Sequence, residues 1–138
     1  MARILALDYG SKRTGIAVTD PLQIIANGLD TVETPQLFAY LKAYFLRETV
    51  ECIVVGEHKN MNNTPSQISG EINGFIVAFQ EKFPAIPVKR MDERFTSKIA
   101  QQTILAAGKN KKARRDKSMV DKVSAVIILQ SYLQTIQK

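Results

Sequence analysis

The chain has little of what an exported or membrane-bound protein is built from. Its 138 residues include one cysteine, one histidine and no tryptophan. A lone cysteine excludes an intrachain disulfide framework, and Cys52, inside the apolar run CIVVG, suits a small buried hydrophobe in a reducing, cytoplasmic setting. Long hydrophobic runs are missing too. The first, Ile4 to Leu7, is too short for a signal peptide and is cut by Asp8, and no later run approaches the roughly 20 apolar residues of a membrane span. The expectation is a soluble chain with no membrane partner. Internal repeats and linker-like stretches are also lacking, so residues 1–138 are expected to form a single domain.

What is present is enough for one core, since 45% of the residues are hydrophobic. The net charge of +6 points toward a polyanionic partner, and its distribution says more than its size. Gly108 to Lys117, GKNKKARRDK, holds six Lys or Arg against one Asp, so nearly all the net charge sits in one loop. Such a run is often only a solvated surface. Placed directly before the last helix, it favours phosphate contact through Lys109, Lys111, Lys112, Arg114, Arg115 and Lys117.

The opening stretch ARILALDYGSKRTGIAVTD reads as a hairpin. Strand-like Arg3 to Leu7 finishes on Asp8, Gly10 supplies turn chemistry, and Thr14 to Thr19 is strand-like again. A desolvated carboxylate at the end of a buried strand is costly unless it is paired, hydrogen-bonded or bound to a cation. Asp8 is therefore either a turn aspartate holding loop amides or a member of a charged site. Asp20-Pro21 marks the next turn, and Gly28 to Val32 forms a short third strand. Thr34-Pro35 reads as a helix N-cap with proline in the first turn, and Leu37, Tyr40, Leu41, Tyr44 and Phe45 share one face of the helix that follows.

Val50 to Gly56 is β-branched and glycine-bounded, hence a buried strand, and it delivers Glu57 and His58 at its end. Thr64-Pro65-Ser66-Gln67 opens a helix whose apolar stripe runs from Ile68 through Ile72, Phe75, Ile76 and Phe79 to Phe83. Pro84 and Pro87 end it. Ile86 to Met91 makes a fifth strand finishing on Asp92 and Glu93. A helix from Thr96 or Ser97 to about Ala107 follows, and Ser118 opens a last, largely apolar helix with Asp121 in its first turn.

This order implies an α/β protein with a mixed sheet whose fourth and fifth strands follow right-handed helical crossovers. If both run parallel to the first strand, Asp8, Glu57 and Glu93 share the edge where open α/β sheets place ligands. Asp121 could join them from the last helix. Such carboxylates repel one another unless a cation intervenes, and Mg²⁺ or Mn²⁺ takes oxygen ligands of this kind. Two such ions can activate water and stabilise the leaving oxygen in phosphodiester cleavage. Each acid has a plainer reading: Asp121 completes Ser118-x-x-Asp121 and could simply support the helix N-terminus, and Glu93 could pair with Arg90 or Arg94. Asp92 should face the other way from Glu93 and is read as structural.

LALDYGSKRTGIAVTD, the VVG strand end followed by NMNNT, VKRMDERFTS and the closing MVDKVSAVIILQSYL together resemble the YqgF family. Its members are described as Holliday-junction-resolvase-like proteins or pre-16S rRNA nucleases. The resemblance spans nearly the whole chain in motif order. It implies a ribonuclease H-like three-layer fold, a five-stranded mixed sheet of order 3-2-1-4-5 flanked by helices. It also implies a metal-dependent endonuclease acting on structured nucleic acid in maturation of the 5′ end of 16S rRNA, with Asp8, Glu93 and Asp121 at the acidic motif positions.

One departure stands at Glu57-His58-Lys59, where the family more often carries a Leu-Pro type sequence. Glu57 reads either as an extra metal ligand or as an ordinary strand-end residue. His58 reads as a loop residue, since two-metal hydrolysis can proceed without a histidine base. Lys12 and Arg13 are weaker phosphate contacts. The nucleic acid is precursor rRNA, with ribosomal precursor particles as partners, or branched DNA, and the chain is expected to act as a monomer or weak homodimer. The alternatives are a Holliday-junction-type DNA resolvase and a non-catalytic RNA-binding assembly factor. Asp8-Tyr9-Gly10-Ser11 also resembles the first phosphate loop of actin-like ATPases, but the second loop such proteins need is absent.

Overall fold

The computed structural model describes residues 2–57, 67–92 and 117–136, with the backbone alone described at 57, 67–69, 92 and 117–121. Alternation along the first strand divides these residues into layers. β1 (Arg3–Asp8) turns Leu5 and Leu7 to one side of a sheet and Ile4 and Ala6 to the other, all four fully buried. A strand buried on both sides must lie inside a covered sheet. β1 does, pairing antiparallel with β2 (Arg13–Thr19) and parallel with β4 (Val50–Glu57). β3 (Ala26–Glu33) extends the meander beyond β2, and β5 (Val88–Asp92) adds in parallel beyond β4. The order is 3-2-1-4-5, as the family resemblance implies.

The larger side of the sheet is covered by α1 (Leu37–Arg47) and α2 (Gln67–Lys82). α1 buries Leu37, Leu41 and Tyr44, with Tyr40 and Phe45 partly covered, so its expected face is the one it uses. α2 buries Ile72, Phe75, Ile76 and Phe79. Phe75, Phe79 and Phe83 follow one another with ring centroids 6.0 and 5.0 Å apart, and Phe45 meets the last two edge-on. The opposite side is covered by α3 (Lys117–Ile136), which packs Ala125, Ile128, Leu129 and Leu133 on Ile4, Ala6, Ala17, Cys52 and Val54. Cys52 is an inert core thiol, pushed up in pKa by burial against the opposing hydrogen bond with Tyr132. Among the described residues no helix is long and apolar enough to cross a membrane.

Two local expectations need adjusting. Thr34 does not cap α1: it begins a 3₁₀ turn (Thr34–Gln36) that carries Pro35, and neither this turn nor α1 has a side-chain cap bond. The Thr34 hydroxyl donates instead to the Gly10 carbonyl. The third strand is longer than its glycine-to-valine run, because pairing with β2 carries it from Ala26 to Glu33. The turn at Asp20-Pro21 is as expected, with the Asp20 carboxylate accepting the N–H groups of Ile24 and Ile25 at 2.8 Å each. Those bonds, the Ile25 bond foremost, hold the Asp20 carboxyl below the usual range. The expected helix of residues 96–107 lies outside the described residues.

Candidate active site

Asp8 is the last residue of β1 and is half-buried. The alternation that sends Ile4 and Ala6 toward α3 sends Asp8 to the same side. Its register partner on β2 is Gly15, and Leu7 pairs with Val55 on β4, so Gly56 is the next residue along that neighbour. Glycines thus stand on both sides of the acid. A carboxylate at such a strand end is the kind of oxygen ligand that a hard divalent cation takes.

The last helix starts on this same side. A Cβ on Gly28 would sit 3.5 Å from Lys122 Cβ and 3.7 Å from Val126 Cγ2, so α3 lies directly against β3 there. Gly28 is in register with Ala17, and Ala17 with Ala6, two residues before Asp8. The first turns of α3, where Asp121 precedes Lys122, therefore lie two strands from β1 on the side Asp8 faces. β4 and β5 run parallel to β1, and Glu57 and Asp92 are paired at their C-terminal ends. The C-terminal ends of β1, β4 and β5 thus lie along one edge of the sheet.

Glu93 and His58 lie outside the described residues, as does the basic run with Lys109, Lys111, Lys112, Arg114 and Arg115. Lys117 opens α3, and at Lys117, Asp121 and Glu57 the backbone alone is described. Among the described residues no three acid, His or Cys side chains form a metal-binding group. Lys12 and Arg13, four and five residues after Asp8, are exposed, and Arg13 lies across from Glu33 in the β2–β3 register, so an acid stands next to that cation.

Residues 9–12, between β1 and β2, are held residue by residue. The Tyr9 ring packs on Phe75 at 5.2 Å, and burial, with the Glu71 charge second, pushes its hydroxyl up so that it stays neutral. The Ser11 hydroxyl donates to Glu71 Oε2 at 2.5 Å. Gly10 is required by close approach, since a Cβ there would lie 2.5 Å from the Arg13 carbonyl oxygen. Thr34 holds both flanks of Ser11: its hydroxyl donates to the Gly10 carbonyl at 2.5 Å, and its backbone N–H donates to the Lys12 carbonyl at 2.9 Å. The fully buried Thr14 shares the same hydroxyl at 3.0 Å. Sequence reasoning missed Thr34 and Glu71. Their partners lie 24 and 60 residues away, and Thr34-Pro35 carries a capping signal that points to a different role.

Comparison with known proteins agrees with this architecture. Residues 2–135 match the model of the family described as RuvX: Holliday junction resolvase. A protein of Christiangramia forsetii named "Putative pre-16S rRNA nuclease" is 57% identical over 133 residues, covering 96% of this chain and 98% of its own. A protein of the same name from Porphyromonas gingivalis is 56% identical over 133 residues, with 96% of each chain covered. Among solved structures, T. thermophilus RuvC in complex with a Holliday junction substrate superposes with a TM-score of 0.61 at 16% identity, covering 99% of this chain and 98% of that one. The fowlpox virus Holliday junction resolvase gives 0.56 at 14%, covering 97% and 99%. At those identities the likeness concerns the fold: the sheet order and helical layers are those of RuvC-like, ribonuclease H-like proteins. By sequence and by fold, this chain belongs to the RuvX Holliday junction resolvase family.

Proposed function

We propose that the chain is a divalent-metal-dependent endonuclease that hydrolyses phosphodiester bonds in structured nucleic acid, acting in the cytoplasm on the 5′ side of precursor 16S rRNA. The observation that carries this reading is Asp8, an acid ending the central strand between two glycines, on the side where α3 begins. Family membership and the names of the close relatives support the nuclease class and the rRNA substrate. Asp8, Glu93 and Asp121 would hold Mg²⁺ or Mn²⁺, with Glu57 as an additional ligand. The metal would supply an activated water and charge stabilisation at the leaving oxygen.

The rest is work for the chain's own residues. Asp8 contributes its carboxylate from a rigid position, since β1 is bonded on both sides. The turn after it presents Lys12 and Arg13 to a phosphate backbone, and the run from Lys109 to Lys117 adds charge before α3. Such contacts fix position and carry little sequence information, so substrate choice rests on the shape of the nucleic acid.

The test is cleavage of a precursor 16S rRNA fragment and a four-way DNA junction side by side, with Mg²⁺, Mn²⁺ or EDTA. Asp8→Asn keeps folding and binding and loses cleavage by at least about a hundredfold, the scale expected when a metal ligand is removed. Cleavage of the junction alone would favour the second reading, a DNA resolvase, to which the family description and the fold likeness to junction-bound RuvC lend weight. Binding without cleavage under either metal would make the chain an RNA-binding assembly factor.

A further inference from the structure

The turn from Tyr9 to Lys12 follows the acid of the proposed site and carries one of its candidate phosphate contacts, and its shape is held in part from outside. Ser11 is at its tip, and the carbonyls on either side of Ser11 both accept hydrogen bonds from one residue of another element, Thr34. The bonds form a directed chain. Thr34 spends its single hydroxyl proton on Gly10, so the Thr14 hydroxyl donates to Thr34, and the Thr34 backbone N–H serves Lys12. We infer that Thr34 is a positioning residue for nucleic-acid binding: it locks the turn that follows Asp8 so that Lys12 is presented to phosphate at the level of the acid.

This inference rests on the nuclease reading for the role of Lys12, and it adds a residue that touches neither substrate nor metal. Three observations support it. The lock acts on the turn from outside, through a 3₁₀ element that has no side-chain cap bond at its N-terminus. Gly10 admits no side chain because the turn closes onto the Arg13 carbonyl, so the locked shape is a tight one. Lys12 is exposed and its backbone carbonyl is tied while its side chain extends into solvent, the arrangement that orients a cation without using it up.

Binding of the full-length chain to a labelled four-way DNA junction and to a stem-loop RNA, measured over a range of salt without divalent metal, tests it independently of cleavage. Lys12→Ala removes one phosphate contact and lowers the salt slope by about one. Thr34→Val, which deletes the hydroxyl at nearly constant volume, weakens binding and moves the slope the same way. Adding Lys12→Ala to it moves the slope no further than Lys12→Ala alone. Thr34→Ser restores both readouts. Thr14→Val removes a hydrogen bond of the same chain but leaves the Gly10 bond in place, so it lowers the melting temperature and leaves the slope at the wild-type value. Should Thr34→Val fail to fold, the double variant Thr14→Val with Thr34→Val replaces both hydroxyls and leaves neither unpaired, and it should reproduce the slope change.

A wild-type slope in Thr34→Val or in that double variant, or full additivity with Lys12→Ala, overturns the role of Thr34 and leaves the nuclease reading standing. No effect of Lys12→Ala overturns both the positioning role and the phosphate role of the turn.

Discussion

The two sides of the sheet are made of side chains of different size. Toward α1 and α2 the strands turn Leu5, Leu7, Ile16, Val18, Ile53 and Val55, and the helices answer with a ladder of phenylalanines. Toward α3 they turn Ile4, Ala6, Ala17, Cys52 and Val54, and Gly28 lies bare under Lys122 and Val126. A thick apolar layer anchors the fold through burial, which scales with the apolar area removed from water. A layer of small residues lets a helix lie close. It starts α3, with Asp121 near its N-terminus, on the side that Asp8 faces, where the proposed chemistry lies. Stability and the proposed chemistry are thereby assigned to opposite sides of one sheet.

The contrast is tested most severely on the aromatic side. Phe79 is fully buried among Phe45, Phe75 and Phe83, so Phe79→Ala should cost about 3–5 kcal/mol in urea denaturation. Cleavage per folded molecule should persist, and a loss in proportion to that of Asp8→Asn would mean that the two sides are not separable. Overpacking the other side should show the reverse pattern. Ala17→Leu, at a fully buried site under α3, should cost about 1–3 kcal/mol and also impair cleavage by lifting the helix away from the strand that carries Asp8.

The smallest effect is a gain. Gly70 and Gly74 lie on the exposed side of α2, where an added Cβ would meet nothing within 4 Å. Gly70→Ala and Gly74→Ala should each raise stability by about 0.5–1 kcal/mol in thermal or urea melts, because alanine forfeits less chain entropy in a helix. If either destabilises the chain, the outward side of α2 takes part in packing after all.

The elements were legible because their signals are local. Alternation in RILALD, the β-branched VECIVVG and the helical spacing from Ile72 to Phe79 each declare their structure within a few residues. The acid at the end of β1 was legible as an anomaly, since burial offers no reason for it. Thr34 was read wrongly for the same reason that the strands were read correctly. A capping signal is local, whereas the bond to Gly10 exists only once β3 has folded back along β2. Glu71 carried no signal at all, because an exposed glutamate on a helix has no sequence mark that sets it apart from its neighbours.

By itself, then, the sequence determined which residues form strands and helices, which of their faces are apolar, and that Asp8 needs a partner. These follow from side-chain periodicity and from the cost of burying charge, both properties of the chain alone. Only the tertiary structure decided that Asp8 is in register with Gly15, that α3 can lie against Gly28, and that Thr34 holds the turn after the acid at Gly10 and Lys12. Those depend on strand register and on contacts between residues far apart in the chain, and register is fixed by burying a face of the assembled sheet.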